Sequence, residues 1–138
     1  MKNLIFTCAL ILCMGVAFGQ SSKKGSMISV HVDDIKLAPG VTMDQYINHF
    51  KNTFAPQYEK ALGVKTFLAK GVRGENKNKL AMFILFDTVE ARDKYFNDDG
   101  TIRDNAAATE AKKKIDPLFE GLNKLGTSTS KYTDWVVQ

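Results

Sequence analysis

Few side chains of this sequence are suited to catalysis, and His31 is the main candidate. The chain has two histidines, and an imidazole can move a proton because it titrates near neutral pH. His31 alternates with Ile28, Val30 and Val32, which point the other way along a predicted strand. If those three pack beneath helices, His31 faces a cavity on the other side of the sheet, as a base or a ligand contact. The alternative is a hydrogen-bonded histidine at an interface or a solvated sheet edge.

The remaining polar patterns do not make a reactive site. In His31-x-Asp33-Asp34, neighbouring strand residues point to opposite faces, so too few ligands converge on one metal ion. His49 falls outside the apolar stripe of its predicted helix and is expected to face solvent. There is no nucleophile elbow, phosphate-binding loop or dinucleotide fingerprint. We predict no metal and no cofactor, and the sequence leaves open whether the protein is an enzyme.

The candidate ligand contacts are apolar. Trp135, the only tryptophan, lies on the last predicted strand, where it either lines a cavity or belongs to the core. Phe83 and Leu85 belong to an unbroken apolar run, Leu80–Phe86. An alternating strand needs one covered face, whereas a continuous apolar run needs two. Trp135, Phe83 and Leu85 are therefore predicted to contact a ligand, although which face of the run lines the cavity stays open.

The spacing of apolar residues, together with capping residues and prolines, predicts the helices and strands that position these residues. Thr42 and Gln45 form a capping box at the start of a helix, and Pro56 kinks that helix or separates it from a second one. A further helical stretch, 105–125, carries one apolar face. The strands are predicted at 27–33, 64–71, 79–87 and 131–137, with a short helix starting at the pair Asp87 and Glu90. The resulting order is β-α-β-β-α-β, an α+β, ferredoxin-like arrangement with a four-stranded antiparallel sheet and its helices on one face.

The first nineteen residues are predicted to be a cleavable signal peptide. Lys2 precedes an apolar run, Leu4–Phe18, which is too short for a transmembrane span of roughly 20 residues. Ala17 and Gly19 supply the small side chains that signal peptidase requires, placing cleavage before Gln20. The protein is therefore predicted to be exported, periplasmic or secreted, with no stable membrane anchor after cleavage.

Removal of this segment leaves a small domain without thiols. Cys8 and Cys13 both lie in residues 1–19, so disulfides, cysteine nucleophiles and thiolate metal sites are excluded from the mature chain. Residues 20–26 are polar and predict a flexible linker before a single domain, 27–138. The formal net charge of the whole chain is only +4, and the charges are scattered, which argues against nucleic-acid binding.

Two short stretches carry a family resemblance. Lys70-Gly71-Val72-Arg73-Gly74-Glu75, and Glu90 to Phe96 after the apolar strand, resemble members of the dimeric α+β barrel superfamily, and more narrowly its signal-bearing bacterial proteins of uncharacterised function. The resemblance implies a homodimer whose two sheets face each other around a central cavity. Members include cofactor-independent monooxygenases, haem-degrading enzymes, isomerases and proteins without known chemistry, so the fold does not choose among them.

These observations favour a binding protein over an enzyme. We expect an exported protein that binds a small apolar molecule in a cavity between paired sheets. One alternative is a cofactor-independent monooxygenase or isomerase with His31 as base and Trp135 as a cavity wall. Another is a non-catalytic interaction protein. His31 has no evident partner to orient it, which favours binding over proton transfer.

Export is directly testable. Expressed with its native amino terminus in a Gram-negative host, the protein should be recovered from the periplasm or medium, and amino-terminal sequencing should begin near Gln20. A mature protein that still begins at Met1 would contradict the signal-peptide prediction.

Overall fold

The computed structural model describes residues 23–138, so the predicted signal peptide lies outside the described residues. Within this range the elements are, in order, β1 (Met27–Leu37), α1 (Met43–His49), a π-helical turn (Phe50–Phe54), α2 (Ala55–Leu62), β2 (Lys65–Lys70), β3 (Leu80–Phe86), α3 (Val89–Asp93), α4 (Ala106–Asn123) and β4 (Gly126–Val136).

The four strands form one antiparallel sheet in the order β2-β3-β1-β4. The first and third strands are central, and the helical segments lie on one face. This connectivity confirms the predicted α+β, ferredoxin-like fold.

The first helical region begins as predicted and passes through Pro56 without a break. The hydroxyl of Thr42 accepts a hydrogen bond from the N–H of Gln45 at 3.2 Å, and the Gln45 amide oxygen accepts one from the N–H of Thr42 at 2.8 Å. Just before Pro56, the N–H of Ala55 bonds to the carbonyl of Phe50, five residues back. Proline lacks an amide hydrogen and crowds the carbonyl four residues earlier, so a wide turn here lets the chain stay helical. Gly63 ends α2 in the left-handed conformation, with φ of 70°.

Several boundaries differ from the sequence-based prediction. β1 continues to Leu37, four residues beyond the strand predicted at 27–33. The short helix is capped by Thr88, not Asp87: the Thr88 hydroxyl accepts a hydrogen bond from the N–H of Ala91 at 3.1 Å. β4 starts at Gly126, whereas a strand was expected only from Lys131. The serines and threonines of residues 127–130 are typical of a loop, but these residues pair with the second half of β1.

The core lies between the helices and one face of the sheet. Leu80, Met82, Ile84 and Phe86 alternate along β3 towards the helices. Met27 of β1 and Val64, which precedes β2, are also buried in this core, and the helical segments supply Tyr46, Phe50, Phe54, Ala55, Tyr58, Leu62, Ala111, Ile115, Leu118 and Leu122. Phe54 is completely buried and has ring contacts with Phe50, Tyr58 and Phe119.

The opposite face of the sheet, here called the open face, is apolar and uncovered in the described chain. Cross-strand neighbours share a face, so the register identifies its members. Three rows form its centre: Trp135, Ile28 and Leu85; Thr133, Val30, Phe83 and Phe67; and Lys131, Val32, Ala81 and Ala69. Trp135 is 61% exposed and Phe67 is 49% exposed. The apolar run of β3 thus has one covered face and one uncovered face.

The segment before β1 is joined to the end of the sheet. The N–H of Gly25 bonds to the carbonyl of Val137 at 2.8 Å, and the N–H of Val137 bonds to the carbonyl of Ser26 at 2.9 Å. The last two residues of the predicted linker therefore contact the residue that follows β4.

Candidate functional site

The structure places His31 on the helix-facing side of the sheet, opposite to the expected side. Ile28, Val30 and Val32 were expected beneath the helices, but they lie on the open face, while Met27 and Ser29 are buried beneath the helices. The expectation assumed that the more apolar side of an isolated strand faces the core. It failed because the helix-facing side of β1 serves a partly polar cavity.

That cavity lies between the sheet and the helices and has a volume of about 290 Å³. This is near the lower limit for pockets that bind small molecules. Its lining residues come from the strands, the first helical region, α4 and the loop after α3: His31, Asp33, Ile35, Tyr46, Phe50, Phe54, Tyr58, Leu68, Met82, Phe96, Gly100, Ile102, Ile115, Phe119, Leu122, Asn123, Ser128 and Ser130. Aromatic rings dominate the helical side, and the polar groups are concentrated on β1 and β4.

The polar wall follows from strand register. His31 and Asp33 are two residues apart on β1 and therefore share a face, with Cα atoms about 6.6 Å apart. Tyr132 pairs with His31, and Ser130 pairs with Asp33. The rings of His31 and Tyr132 stack with centroids 5.4 Å apart. Within residues 23–138, no hydrogen bond joins the His31 ring to another residue.

The cavity opens at the free edge of β4. Four of its lining residues are exposed: Ser128 and Ser130 on the strand, and Phe119 and Asn123 towards the end of α4. β4 is an edge strand, and its helix-facing side is only partly covered. A ligand would enter between this strand and the carboxyl end of α4.

A buried ion pair lies next to the polar wall. Arg92 of α3 is 4% exposed, and its Nε is 3.1 Å from Oδ2 of Asp134. The hydroxyl of Ser29 donates a hydrogen bond to the other oxygen of Asp134. Arg92 Nη1 also donates to the carbonyls of Phe96 at 3.2 Å and Asn97 at 2.6 Å. One guanidinium thus joins α3, β4 and the loop that closes one end of the cavity.

The tip of that loop rests on Tyr132. The Tyr132 hydroxyl donates to the carbonyl of Asp98 at 3.0 Å. Gly100 has φ of 81°, and a Cβ there would lie 2.8 Å from the Tyr132 oxygen, so a residue with a side chain would not fit without movement. Because Gly100 lines the cavity and Tyr132 stacks on His31, the loop and the candidate base share one support.

The surroundings shift the pKa values of four cavity residues. Burial lowers the pKa of His31 below its ordinary 6.5, and the positive charge of Arg92 adds to this, while Asp134 opposes it. Burial raises the pKa of Asp33, and the charge of neighbouring Asp34 adds to this, while a hydrogen bond with the Ser130 side chain opposes it. Burial also raises the pKa of Tyr58 above its ordinary range. Burial and the charge of Asp33 raise the pKa of Tyr46 to about 12. Perturbed pKa values clustered in one cavity are typical of functional sites.

The structure separates the residues predicted to act together. His31 lines the cavity beneath the helices, whereas Phe83, Leu85 and Trp135 lie on the open face. Their contact with a ligand stays a prediction. His49, expected to face solvent, is only partly exposed and lies beside Gly121 of α4.

Sequence reasoning missed several residues that shape the cavity. The two-residue spacing of His31 and Asp33 was visible, and it places both on one strand face. Arg92 gave no signal, since an arginine in a short helix normally faces solvent. Tyr46 lies among the apolar residues of its helix, and only the fold shows its position beside Asp33.

Two classes of site find no support in the described part of the chain. No group of three or more histidine, aspartate or glutamate side chains comes together there in a way that could hold a metal ion. None of the helices within residues 23–138 has the length and apolar character needed to cross a membrane.

Comparisons with known proteins give structural similarities only. No protein-family model matches the chain, and no curated protein shows significant similarity to it. A dimeric protein of unknown function with a ferredoxin-like fold from Bacteroides fragilis is 14% identical, with 82% of this chain and 97% of that chain covered and a TM-score of 0.44. An ethyl tert-butyl ether D (EthD) family protein from Bacillus halodurans is 16% identical, with 76% and 96% covered and a TM-score of 0.41.

The lowered pKa of His31 predicts how stability depends on pH. The unfolded chain takes up the His31 proton more readily than the folded protein does, so stability should fall as the pH drops below 6.5. Urea denaturation at about pH 7.5 and about pH 6.0 should show this decrease. His31→Asn should make the decrease in stability between the two pH values smaller. His49→Asn keeps His31, so it should retain the part of the decrease that His31 causes. The raised pKa of Asp33 has the opposite effect on the pH dependence of stability, but at a more acidic pH, because the ordinary pKa of this group is 3.8. An identical slope in wild type and His31→Asn would contradict the assignment.

Proposed function

We propose that this domain binds one small, largely apolar molecule in the cavity between the sheet and the helices. The observation that carries the proposal is the cavity of about 290 Å³, with aromatic rings on one side and hydrogen-bonding groups on the other. A mostly apolar pocket with a few convergent polar groups is the usual form of a small-molecule site. The opening at the β4 edge provides a route of entry.

This position differs from the site expected between two paired sheets. Tyr46, Tyr58 and the phenylalanine cluster surround the cavity beneath the helices, whereas Trp135 lies on the opposite face of the sheet. A ligand beneath the helices would therefore leave Trp135 untouched. Amide and indole N–H resonances can distinguish the two positions.

Binding can be tested with 2-naphthol as a neutral aromatic probe. In 15N–1H NMR spectra, the probe should shift the backbone resonances of Gly100, Ser128 and Ser130 and leave the Trp135 indole resonance in place. Ser130→Trp should fill the opening and weaken binding by at least about tenfold. Thr129→Trp is the matched control, because its side chain points to the other face of the edge strand.

The outcomes separate the candidate positions. Shifts confined to Trp135, Phe83 and Leu85 would move the ligand to the open face, as the sequence alone suggested. No saturable shift with 2-naphthol would contradict binding at either position and would favour the non-catalytic interaction protein.

A cofactor-independent monooxygenase or isomerase is the second candidate. The observation that favours it is the presence of His31 and Asp33 in one cavity. The lowered pKa of His31 keeps its imidazole neutral at physiological pH, which is the form that accepts a proton. If a substrate is turned over, His31→Ala should abolish turnover and change ligand affinity by less than about tenfold.

We also propose that the open face pairs with a second copy of the chain. An interface around a two-fold axis must be compatible with itself, and an apolar patch meets this condition where a patch of like charges does not. The three central rows of the open face are largely apolar, and the lysines in them, Lys65 opposite Leu85 and Lys131 opposite Val32, lie on the outer strands β2 and β4. Such pairing would cover Trp135, Phe83 and Leu85, and any ligand held between the sheets would contact them there.

Light scattering tests the pairing. The wild-type protein at micromolar concentration should have twice the mass of one chain, and Trp135→Glu should shift it towards the mass of one chain, because a buried unpaired carboxylate opposes association. Val72→Glu is the control, since Val72 is 72% exposed in the loop between β2 and β3 and lies off the open face. A monomeric wild-type protein would contradict the pairing. The predicted export stays part of the proposal and rests on residues 1–19.

A further inference from the structure

We propose that the cavity accepts an aromatic molecule that is uncharged or cationic and carries an O–H or N–H donor, and that it excludes aromatic carboxylates and other anions. This inference rests on the proposed binding function, whose ligand class it specifies. Three features of the cavity carry it: an aromatic lining, hydrogen-bond acceptors on the sheet side, and the absence of a cation among the lining residues within residues 23–138.

The helical side of the cavity is built for contact with a flat ring. Phe54 stacks with Phe50 at 5.0 Å and with Tyr58 at 5.1 Å, and its edge-to-face contact with Phe119 is also 5.1 Å. All four rings of this cluster line the cavity. Aromatic ligands gain from both arrangements beyond the area that they bury.

The sheet side offers acceptors. The neutral imidazole of His31 has one acceptor nitrogen, and Asp33 has a carboxyl group on the same face of β1. Their Cα atoms are about 6.6 Å apart, so one donor between them can reach either group. Ser130 and Ser128 hydroxyls line the cavity at its entrance. A ligand that brings its own O–H or N–H would pair with these acceptors.

No lysine or arginine lines the cavity within residues 23–138. The nearest buried cation, Arg92, is already paired with Asp134 and bonded to two carbonyls. Asn123, the last residue of α4, lies at the entrance, and the carboxyl end of a helix carries partial negative charge. An anionic ligand would lose its hydration without meeting a positive charge, and Asp33 would repel it.

Three naphthalenes of similar shape separate these features by calorimetric titration at about pH 7.5. They are 2-naphthol, which has a donor; 2-methoxynaphthalene, which has only an acceptor; and 2-naphthoate, which is an anion. We expect 2-naphthol to bind at least about tenfold more tightly than 2-methoxynaphthalene, since a hydrogen bond to a charged group is worth about 1.5–3 kcal/mol. We expect no measurable binding of 2-naphthoate.

A pair of variants tests whether the preference for 2-naphthol over 2-naphthoate depends on the side chain of Asp33. Asp33→Asn removes the charge that faces the cavity, so it should weaken 2-naphthol binding by about tenfold. It should also reduce the difference in affinity between 2-naphthol and 2-naphthoate. Asp34→Asn is the matched control, because Asp34 is exposed and its carboxylate is paired with Lys79 on the other side of the strand. The affinities of the control for the three probes should equal those of the wild type.

The titrations on the wild-type protein decide the inference even if a variant fails to fold. Equal binding of 2-naphthol and 2-methoxynaphthalene would overturn the donor requirement, and binding of 2-naphthoate as tight as that of 2-naphthol would overturn the exclusion of anions. In both cases the proposed binding function would survive. If none of the three probes binds, the proposed function falls and this inference falls with it.

Discussion

The ion pair between Arg92 and Asp134 connects the fold to the cavity. An arginine in a short helix is expected in water, yet this guanidinium is buried and bonded to β4 and to the carbonyls of the loop after α3. Breaking a buried pair from one side typically costs about 3–5 kcal/mol, whereas the exposed pair of Lys112 and Asp116 on α4 is worth about 0.3–0.5 kcal/mol. The same contact fixes Asp134 beside Ser29 and His31. The position of the loop therefore depends on this interaction, and its two charges act in opposite directions on the pKa of His31, which is lowered mainly by burial.

The two faces of the sheet have exchanged their usual roles near β1. The face beneath the helices carries Ser29, His31 and Asp33, while the uncovered face carries Ile28, Val30 and Val32. Placing the polar set inside and the apolar set outside costs stability in a lone domain, because apolar burial is the main driving force of folding. Departures of this kind are expected where a protein keeps a functional site. The cavity accounts for the polar set, and the pairing of two copies that we propose would account for the apolar set.

The sequence predicted features that depend on neighbouring residues, and it failed where distant residues decide. The capping box of Thr42 and Gln45, the end of α2 at Gly63 and the β-α-β-β-α-β order all follow from local patterns. The face of β1 was wrong because the side that a strand buries depends on what the helices present to it. The first half of β4 was not predicted, because serines and threonines are typical of loops. Only pairing with β1 makes this segment a strand. The burial of Arg92 requires Asp134, forty-two residues later in the chain.

The wide turn at Phe50–Phe54 has a consequence for the register of everything that follows it in the helix. A π-type turn contains one residue more than an α-helical turn, so it acts as a one-residue insertion that the helix has absorbed. Each residue of an α-helix turns the next side chain by about 100°, so winding the same residues into regular α-helical turns would rotate α2 by about this angle around its axis. Tyr58 and Leu62 would then leave the core, and Gln57 would take the place of Tyr58. The wide turn thus keeps the buried side chains of α2 on the same side of the helix as those of α1, and the aromatic lining of the cavity depends on it.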